Sequence, residues 1–180
     1  MPRRIHAYPE PRRFVAGTVG MPGERTFYLQ AADGTSVTSV ALEKAQVAML
    51  AERLGQMLAE AGEDATAGTD DNDPLSLPLD EEFRVGTLGL AWASGTEGAP
   101  DRILVEAHAL SDDDAADLGD DDADAPDTLR VLLSPAAAAA FARRARALVA
   151  AGRPPCPFCL QPLDPGGHIC PRANGYRRRP

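Results

Sequence analysis

Phe14-Val-Ala-Gly-Thr-Val-Gly20 is the stretch that decides the fold, because the chain echoes it as Phe83-Arg-Val-Gly-Thr-Leu-Gly89, 69 residues later. Two further matches follow in the same order: Tyr28-Leu-Gln-Ala31 with Leu104-Val-Glu-Ala107 at an offset of 76, and an apolar helix stripe at an offset of 91. The growing offset places two insertions in the second copy, a longer first hairpin and an acidic loop. Chance similarity of a short glycine-containing strand is the alternative. We predict a duplication, with repeats at residues 14–62 and 83–152.

Each copy is predicted to contain three strands followed by a helix. Alternating and β-branched residues predict strands at 14–21, 26–32 and 36–42, and again at 82–92, 102–110 and 127–133. Helical spacing of apolar residues predicts helices at about 43–61 and 135–151, the second opened by Ser134 and Pro135. The glycines of the repeated phrase lead into strands and lack a P-loop lysine. We therefore expect them to permit close backbone approach or a bulge in the sheet.

Three strands and one helix are too few to bury both elements well, so we expect the two copies to form one domain. The predicted fold class is α+β. Two tandem β-β-β-α repeats would pair about a pseudo-two-fold axis into an antiparallel sheet assembly with both helices packed on it. This domain would cover residues 1–152, and a zinc-binding tail, a knuckle or ribbon, would cover residues 153–180.

Two segments lie outside the repeated pattern. Residues 1–13 contain three prolines and four arginines, which predicts an extended arm that is tethered or solvated, or that contacts nucleic acid. Residues 63–78 are polar and rich in turn-forming residues, which predicts a linker or mobile loop.

The net charge of −9 comes from a single loop. Nine aspartates and no basic residue lie between Ser111 and Asp127, and the rest of the chain is neutral. A self-repelling run of this kind predicts a disordered loop at 111–127. The sequence shows neither the apolar core of a secretory signal nor about 18 consecutive apolar residues. We expect a cytoplasmic protein.

All three cysteines fall within residues 156–170, which is the distribution of a metal site rather than of a disulfide framework. With one histidine they form the pattern C-x2-C-x8-H-x-C, from Cys156, Cys159, His168 and Cys170. Three sulfurs and one nitrogen suit tetrahedral Zn²⁺, and four protein ligands leave no position for water, so the predicted zinc is structural. A redox dithiol at Cys156-Pro-Phe-Cys159 and incidental cysteines are the alternatives.

Two weaker groups of candidate residues remain. Gln30, Glu106 and His108 share one predicted strand face and could line a ligand-binding groove between the repeats; a half-solvated sheet face is the alternative. Tyr176, Arg177, Arg178 and Arg179 form a basic tail that could bind nucleic acid, or could be solvated or docked on the acidic loop.

The chain resembles a known family over almost its whole length. The similarity is carried by Arg13–Gly20, Pro22-Gly23, Arg25-Thr-Phe27, Leu29-Gln-Ala31 and Leu42-Glu-Lys44, and most specifically by Cys156-Pro-Phe-Cys159 and Gly167-His-Ile-Cys-Pro-Arg-Ala-Asn-Gly-Tyr-Arg177. These residues are similar to an uncharacterised repeat-protein family of actinobacteria, a domain of unknown function. The resemblance implies a bacterial cytosolic origin and favours the repeat and the metal tail. It implies no activity.

The sequence favours a non-enzymatic binding or adaptor protein that engages a protein or a nucleic acid. An enzyme or small-ligand sensor using the groove between the repeats is the alternative. It ranks lower because no nucleophile and base have a recognisable spacing.

Overall fold

The computed structural model describes residues 3–21, 23–96, 98–111, 125–153, 155–163 and 166–172. Within these residues, the order of three strands and then a helix occurs twice, preceded by one short strand. The elements are β1 Ile5–Tyr8, β2 Arg13–Val19, β3 Thr26–Asp33, β4 Ser36–Leu42, α1 Lys44–Glu60, β5 Glu81–Ala93, β6 Arg102–Ala109, β7 Thr128–Leu133 and α2 Pro135–Ala150. The six predicted strands and both helices are confirmed to within two residues at their ends. Of the acidic loop, residues 112–124 lie outside the described residues.

All seven strands belong to one sheet, in the order β1-β7-β6-β5-β4-β3-β2. β2, β3 and β4 form one antiparallel meander, and β5, β6 and β7 form another. The pairs β4–β5 and β1–β7 are parallel. The α+β class is therefore confirmed, but the prediction of an antiparallel assembly is wrong, because the sheet is mixed.

The junction of the two meanders shows how the two β-β-β-α units follow one another in the sheet. β4 ends the first β-β-β-α unit, and it lies beside β5, which begins the second. The units follow one another head to tail, because a long connection after α1 brings β5 alongside β4 in the same direction.

One face of the sheet packs against both helices and forms the core. On this face Leu29 of β3 is paired with Val40 of β4, and Val105 of β6 is paired with Val131 of β7; all four are buried. The buried side chains of α1 and α2 belong to the same cluster: Val47, Leu50, Ala51, Leu54, Leu58, Ala138, Ala139, Phe141, Ala142 and Ala145. Alanine and small side chains on α2 allow the helix to lie close to its neighbours.

The helices begin and pack as their sequences predict. Ser134 caps α2, because its Oγ accepts a hydrogen bond from the amide of Ala137 at 3.2 Å. Phe141 of α2 stacks on Phe14 of β2 with ring centroids 4.7 Å apart. α2 follows β7 in the chain but lies against β2 at the opposite edge of the sheet, so the helix joins the two units.

The N-terminal segment contains a strand that the sequence analysis missed. Ile5–Tyr8 pairs in parallel with β7, and Tyr8 is buried. The Tyr8 hydroxyl lies 2.8 Å from Thr38 Oγ1 and 3.1 Å from Ser36 Oγ, both on β4. The arm is therefore part of the sheet. Its four residues and the surrounding prolines gave too short a pattern to predict it.

The segment 63–78 connects the two units as predicted, but it is packed against the body rather than free. Two arginines of α2 hold its first part: Arg143 donates to the carbonyl oxygens of Ala65, Ala67 and Gly68. Arg144 donates to the carbonyl oxygen of Asp73 at 2.7 Å. The prediction of a mobile loop is wrong because these bonds come from residues about 70 positions later in the sequence.

The glycines of the repeated phrase do provide close approach, as predicted. A Cβ on Gly17 would lie 2.5 Å from Cγ of Leu75, which packs on this strand from the 63–78 segment. A Cβ on Gly86 would lie 2.9 Å from Cα of Leu110, and the register of β5 against β6 shifts between Val85 and Thr87. Gly17 leaves room for the side chain of Leu75, and Gly86 lies at a β-bulge.

Candidate metal centre

The four predicted metal ligands meet in one cluster. The Sγ atoms of Cys156, Cys159 and Cys170 and a ring nitrogen of His168 all lie within 4.8 Å of one another. Cys156 Sγ is 3.8 Å from Cys170 Sγ, and Cys159 Sγ is 3.2 Å from His168 Nε2. None of the three cysteines forms a disulfide bond.

A tight turn brings the first two ligands together. The amide of Leu160 donates to the carbonyl oxygen of Cys156 at 2.9 Å, and the amide of Cys156 donates to the carbonyl oxygen of Gln161 at 2.8 Å. An antiparallel bridge between Pro155 and Pro162 closes the base of the turn. Leu160 has a φ of 62°, a conformation that favours glycine, so the turn is maintained against a local cost of roughly 1–2 kcal/mol.

Hydrogen bonding makes the cysteines unequal. Burial opposes ionisation of Cys156, but the amides of Cys159 and Phe158 and the neighbouring thiols outweigh burial and lower the pKa of Cys156. The amide at Gln161 favours the Cys159 thiolate, yet burial and the adjacent sulfurs raise the pKa of Cys159. In the absence of a cation, ionisation of Cys156 therefore opposes ionisation of Cys159. A bound divalent cation would remove that conflict.

Two of the ligand separations can be compared with those of a tetrahedral zinc site. Zinc–sulfur bonds of about 2.3 Å at tetrahedral angles place two sulfurs about 3.8 Å apart, and a sulfur and a nitrogen about 3.6 Å apart. The Cys156–Cys170 separation of 3.8 Å matches, and the Cys159–His168 separation of 3.2 Å is within a few tenths of an ångström. His168 presents Nε2 to the cluster, and its Nδ1 is buried with no hydrogen-bond partner among the described residues.

The local fold argues against the redox alternative. A thioredoxin-like dithiol begins a helix that follows a strand. Here Cys156 follows the end of α2, and residues 156–159 form a turn. His168 and Cys170 complete the ligand set, which a two-cysteine redox motif would not require.

Gln30, one of the weaker ligand-binding candidates, is buried and engaged with the protein itself. Its side-chain amide nitrogen donates to Ser39 Oγ at 3.0 Å and to the carbonyl oxygen of Ser76 at 3.1 Å. Its Oε1 accepts from the amide of Ser76 at 2.8 Å. The side-chain amide of Gln30 therefore bonds to both backbone groups of Ser76 in the connecting segment.

The strand register separates Gln30 from Glu106. Ser39, the partner of Gln30, pairs with Glu81 at the start of β5, whereas Glu106 pairs with Gly89. The two positions differ by eight residues along β5, or roughly 25 Å at about 3.3 Å per residue. The structure does not bring these residues to one shared groove.

Glu106 and His108 do lie together, in a polar cluster on β6 and β7. Glu106 accepts from Arg130 Nε at 2.6 Å. Thr128 donates its hydroxyl to the carbonyl oxygen of Pro126, so the 3.0 Å contact with His108 Nδ1 has the histidine as donor. His108 Nε2 lies 3.8 Å from Glu106 Oε2. The ligand-binding role of these two residues stays a prediction.

The predicted nucleic-acid residues Tyr176, Arg177, Arg178 and Arg179 lie outside the described residues. Sequence reasoning also passed over a cleft beside the metal cluster, which has a volume of about 390 Å³ and is lined in part by Arg25, Lys44 and Arg153. The sequence contained one indication of this cleft, because Lys44 is the only lysine in the chain.

No helix in the described part of the chain is long and apolar enough to cross a membrane. No curated protein and no solved structure matches the chain. One family model, described as a protein of unknown function (DUF3090), matches residues 6–170 and so spans both the sheet and the four metal ligands. The chain belongs to the DUF3090 family.

Proposed function

We propose that this chain is a non-enzymatic binding protein whose C-terminal module, residues 153–180, is stabilised by a structural Zn²⁺ ion. The observation that carries the proposal is the convergence of three thiols and one imidazole within 4.8 Å. Zn²⁺ favours this ligand set, and four protein ligands leave no open position for a water or substrate. A module with so little apolar core gains its folding free energy from the metal.

Metal analysis tests the zinc assignment. The purified chain is expected to contain one zinc per molecule, and Cys159→Ser is expected to lose it. Ile169→Ser is the matched control, because Ile169 lies between two ligands but is 82% exposed. Zinc-free protein whose module shows the same amide NMR spectrum as the loaded protein would refute a structural role.

The surface of the metal module favours a protein partner. Phe158, Leu160 and Ile169 are 62%, 75% and 82% exposed, and all three belong to the module that the metal organises. Exposed apolar side chains on a folded module are typical of protein-interaction surfaces. We place this interaction in the cytoplasm, where thiols stay reduced and available to a metal.

Affinity capture from the native host tests the partner class. The full chain is expected to retain a protein that Phe158→Ser, with its zinc content unchanged, does not retain. The alternative partner is a nucleic acid bound by Tyr176 and the three following arginines. In that case retention would fall with salt and would be lost on removal of Arg177–Arg179.

We further propose that the two β-β-β-α units arose by duplication. The repeated phrase and the ordered matches support this origin, as does the recurrence of the element order at β2–α1 and β5–α2. Superposition of residues 14–60 on residues 83–150 tests it. Units that share no common strand register, when the two insertions are omitted, would contradict it.

A further inference from the structure

A cleft separates the body of the protein from the metal module. Its walls come from the β2–β3 turn with Gly23 and Arg25, from Lys44 at the start of α1, and from Arg153 after α2. Phe27, Gly152 and Pro162 complete the described lining. The volume of about 390 Å³ is in the range of small-molecule sites. One wall, at Pro162, belongs to the metal-binding turn.

The lining is strongly positive. It contains two arginines and the only lysine of the chain, and no carboxylate among the described lining residues. Neither Arg25 nor Lys44 forms an ion pair with any carboxylate in the described part of the chain. Each of these two cations follows a glutamate in sequence, Glu24 before Arg25 and Glu43 before Lys44, and Glu43 is paired with Arg84 at 3.1 Å. Two cations without a carboxylate partner in the described part of the chain, Arg25 and Lys44, line one cleft and attract an anion.

Two of the three lining cations lie against glycines, and the third lies near an aromatic ring. The guanidinium of Arg153 lies directly over Gly23, where a Cβ would be 1.5 Å from Nη2. Lys44 Nζ lies over Gly152, where a Cβ would be 3.0 Å away. The third cation, Arg25, has its Cζ 5.4 Å from the centroid of the Phe27 ring. Gly23 has a φ of 101°, so this backbone conformation and this close approach both require glycine.

We propose that this cleft binds the phosphate group of a small phosphorylated molecule. A phosphate offers three oxygens and close to two negative charges, which matches the guanidinium of Arg25 and the ammonium of Lys44 better than a carboxylate does. The cleft is larger than one phosphate needs, so the remaining volume beside Phe27 and Pro162 accommodates the organic part of the ligand. The site goes beyond the zinc-stabilised binding function, because all three cations belong to residues other than the metal ligands.

The single lysine makes the site directly measurable. Acetylation of the zinc-loaded full chain with an amine-reactive ester modifies Lys44 and the α-amino group, and mass spectrometry reports the two separately. With inorganic pyrophosphate as the probe, Lys44 acetylation is expected to slow by about tenfold at ten times the Kd. The rate at the α-amino group is the internal control and is expected to stay constant. Sodium acetate at equal ionic strength is expected to give no protection.

Two arginine variants test the assignment of the site. Arg25→Gln is expected to raise the pyrophosphate Kd about tenfold, as loss of one charge-assisted hydrogen bond does. Arg53→Gln changes the net charge equally but lies on the exposed face of α1, where Arg53 bonds to Gln56, and it is expected to leave the Kd unchanged. Arg25→Lys, which keeps the charge, is expected to fall between the wild type and Arg25→Gln.

Two results would overturn the proposal. The first is an unchanged Lys44 rate up to ~10 mM pyrophosphate, which places any Kd well beyond the millimolar range. The second is an equal loss of affinity in Arg25→Gln and Arg53→Gln, which would show attraction to overall charge rather than to the cleft. Zinc content is measured in every sample, so failure of the structural-zinc proposal is seen separately from failure of the phosphate site.

Discussion

Arg144 on α2 donates a hydrogen bond from Nε to the carbonyl oxygen of Ala16 on β2, at 2.8 Å and across 128 residues of sequence. The same guanidinium donates to both the carbonyl oxygen and the carboxylate of Asp71 and to the carbonyl oxygen of Asp73. One side chain thus joins the last helix, the edge strand of the sheet and the segment that connects the two units. β2 is an edge strand, and Arg144 and the connecting segment cover that edge.

We expect Arg144→Gln to destabilise the protein by about 2–4 kcal/mol, because it removes several charge-assisted hydrogen bonds and leaves their acceptors partly buried. Urea unfolding followed by circular dichroism measures the change. Arg53→Gln, on the exposed face of α1, is the control and should cost less than about 0.5 kcal/mol. Equal stability of the two variants would show that Arg144 lies at this junction without stabilising it.

The Arg144 junction also marks the limit of what the sequence predicts. Strands and helices followed from short-range periodicity and from caps such as Ser134, and the metal ligands followed from a spacing that one turn can satisfy. The packing of the segment 63–78 did not follow from the sequence. Its polar groups form hydrogen bonds with arginines and with Gln30, which lie in distant parts of the chain. The parallel pairing of β4 with β5 could not be predicted either, since no local pattern determines which edges of the two meanders meet.

Acid is expected to release this connection. The hydrogen bonds from Arg13 lower the pKa of Asp71, and the amide of Asp73 and the charge of Arg144 lower it further. A carboxyl group with a lower pKa in the folded state binds fewer protons than it does unfolded. Its contribution is therefore complete above the unfolded pKa of about 3.9 and is lost as the pH falls through the folded value.

Asp71→Asn tests the acid effect. The variant should be less stable than the wild type at pH 7, and the difference should shrink as the pH is lowered below about 4. Urea midpoints measured at several pH values between 7 and 2.5 report the effect. Asp33→Asn is the control, since Asp33 is exposed and contacts Arg12 at 3.5 Å on the surface. A constant difference between wild type and Asp71→Asn at every pH would contradict the proposed linkage.

Gly17 and Leu75 should behave as a coupled pair. Gly17→Ala places a methyl group 2.5 Å from Cγ of Leu75, which forces the leucine and its segment off the sheet. We expect a loss of about 1–3 kcal/mol, as for other overpacked sites. Leu75→Ala in the same chain should recover most of that loss because it removes the colliding atoms, giving a coupling energy of opposite sign to the single effects. Strict additivity in this double-mutant cycle would show that the alanine is accommodated without displacing Leu75.

Leu160 offers a test of the metal-binding turn that leaves the ligands intact. Its φ of 62° is unfavourable for a side chain with a Cβ, and more so for a β-branched one. Leu160→Gly should relieve this strain, and Leu160→Val should increase it. Because the turn that holds Cys156 and Cys159 must form for metal to bind, the strain appears in the zinc affinity. We expect zinc affinity in the order glycine, leucine, valine, with steps of about fivefold for roughly 1 kcal/mol.

Competition with a chelator of known affinity measures the zinc affinities of the wild type, Leu160→Gly and Leu160→Val. The leucine side chain is 75% exposed, so lost packing contributes little to the comparison. If glycine bound zinc more weakly than valine, the side chain of Leu160 rather than its backbone conformation would be what the turn requires.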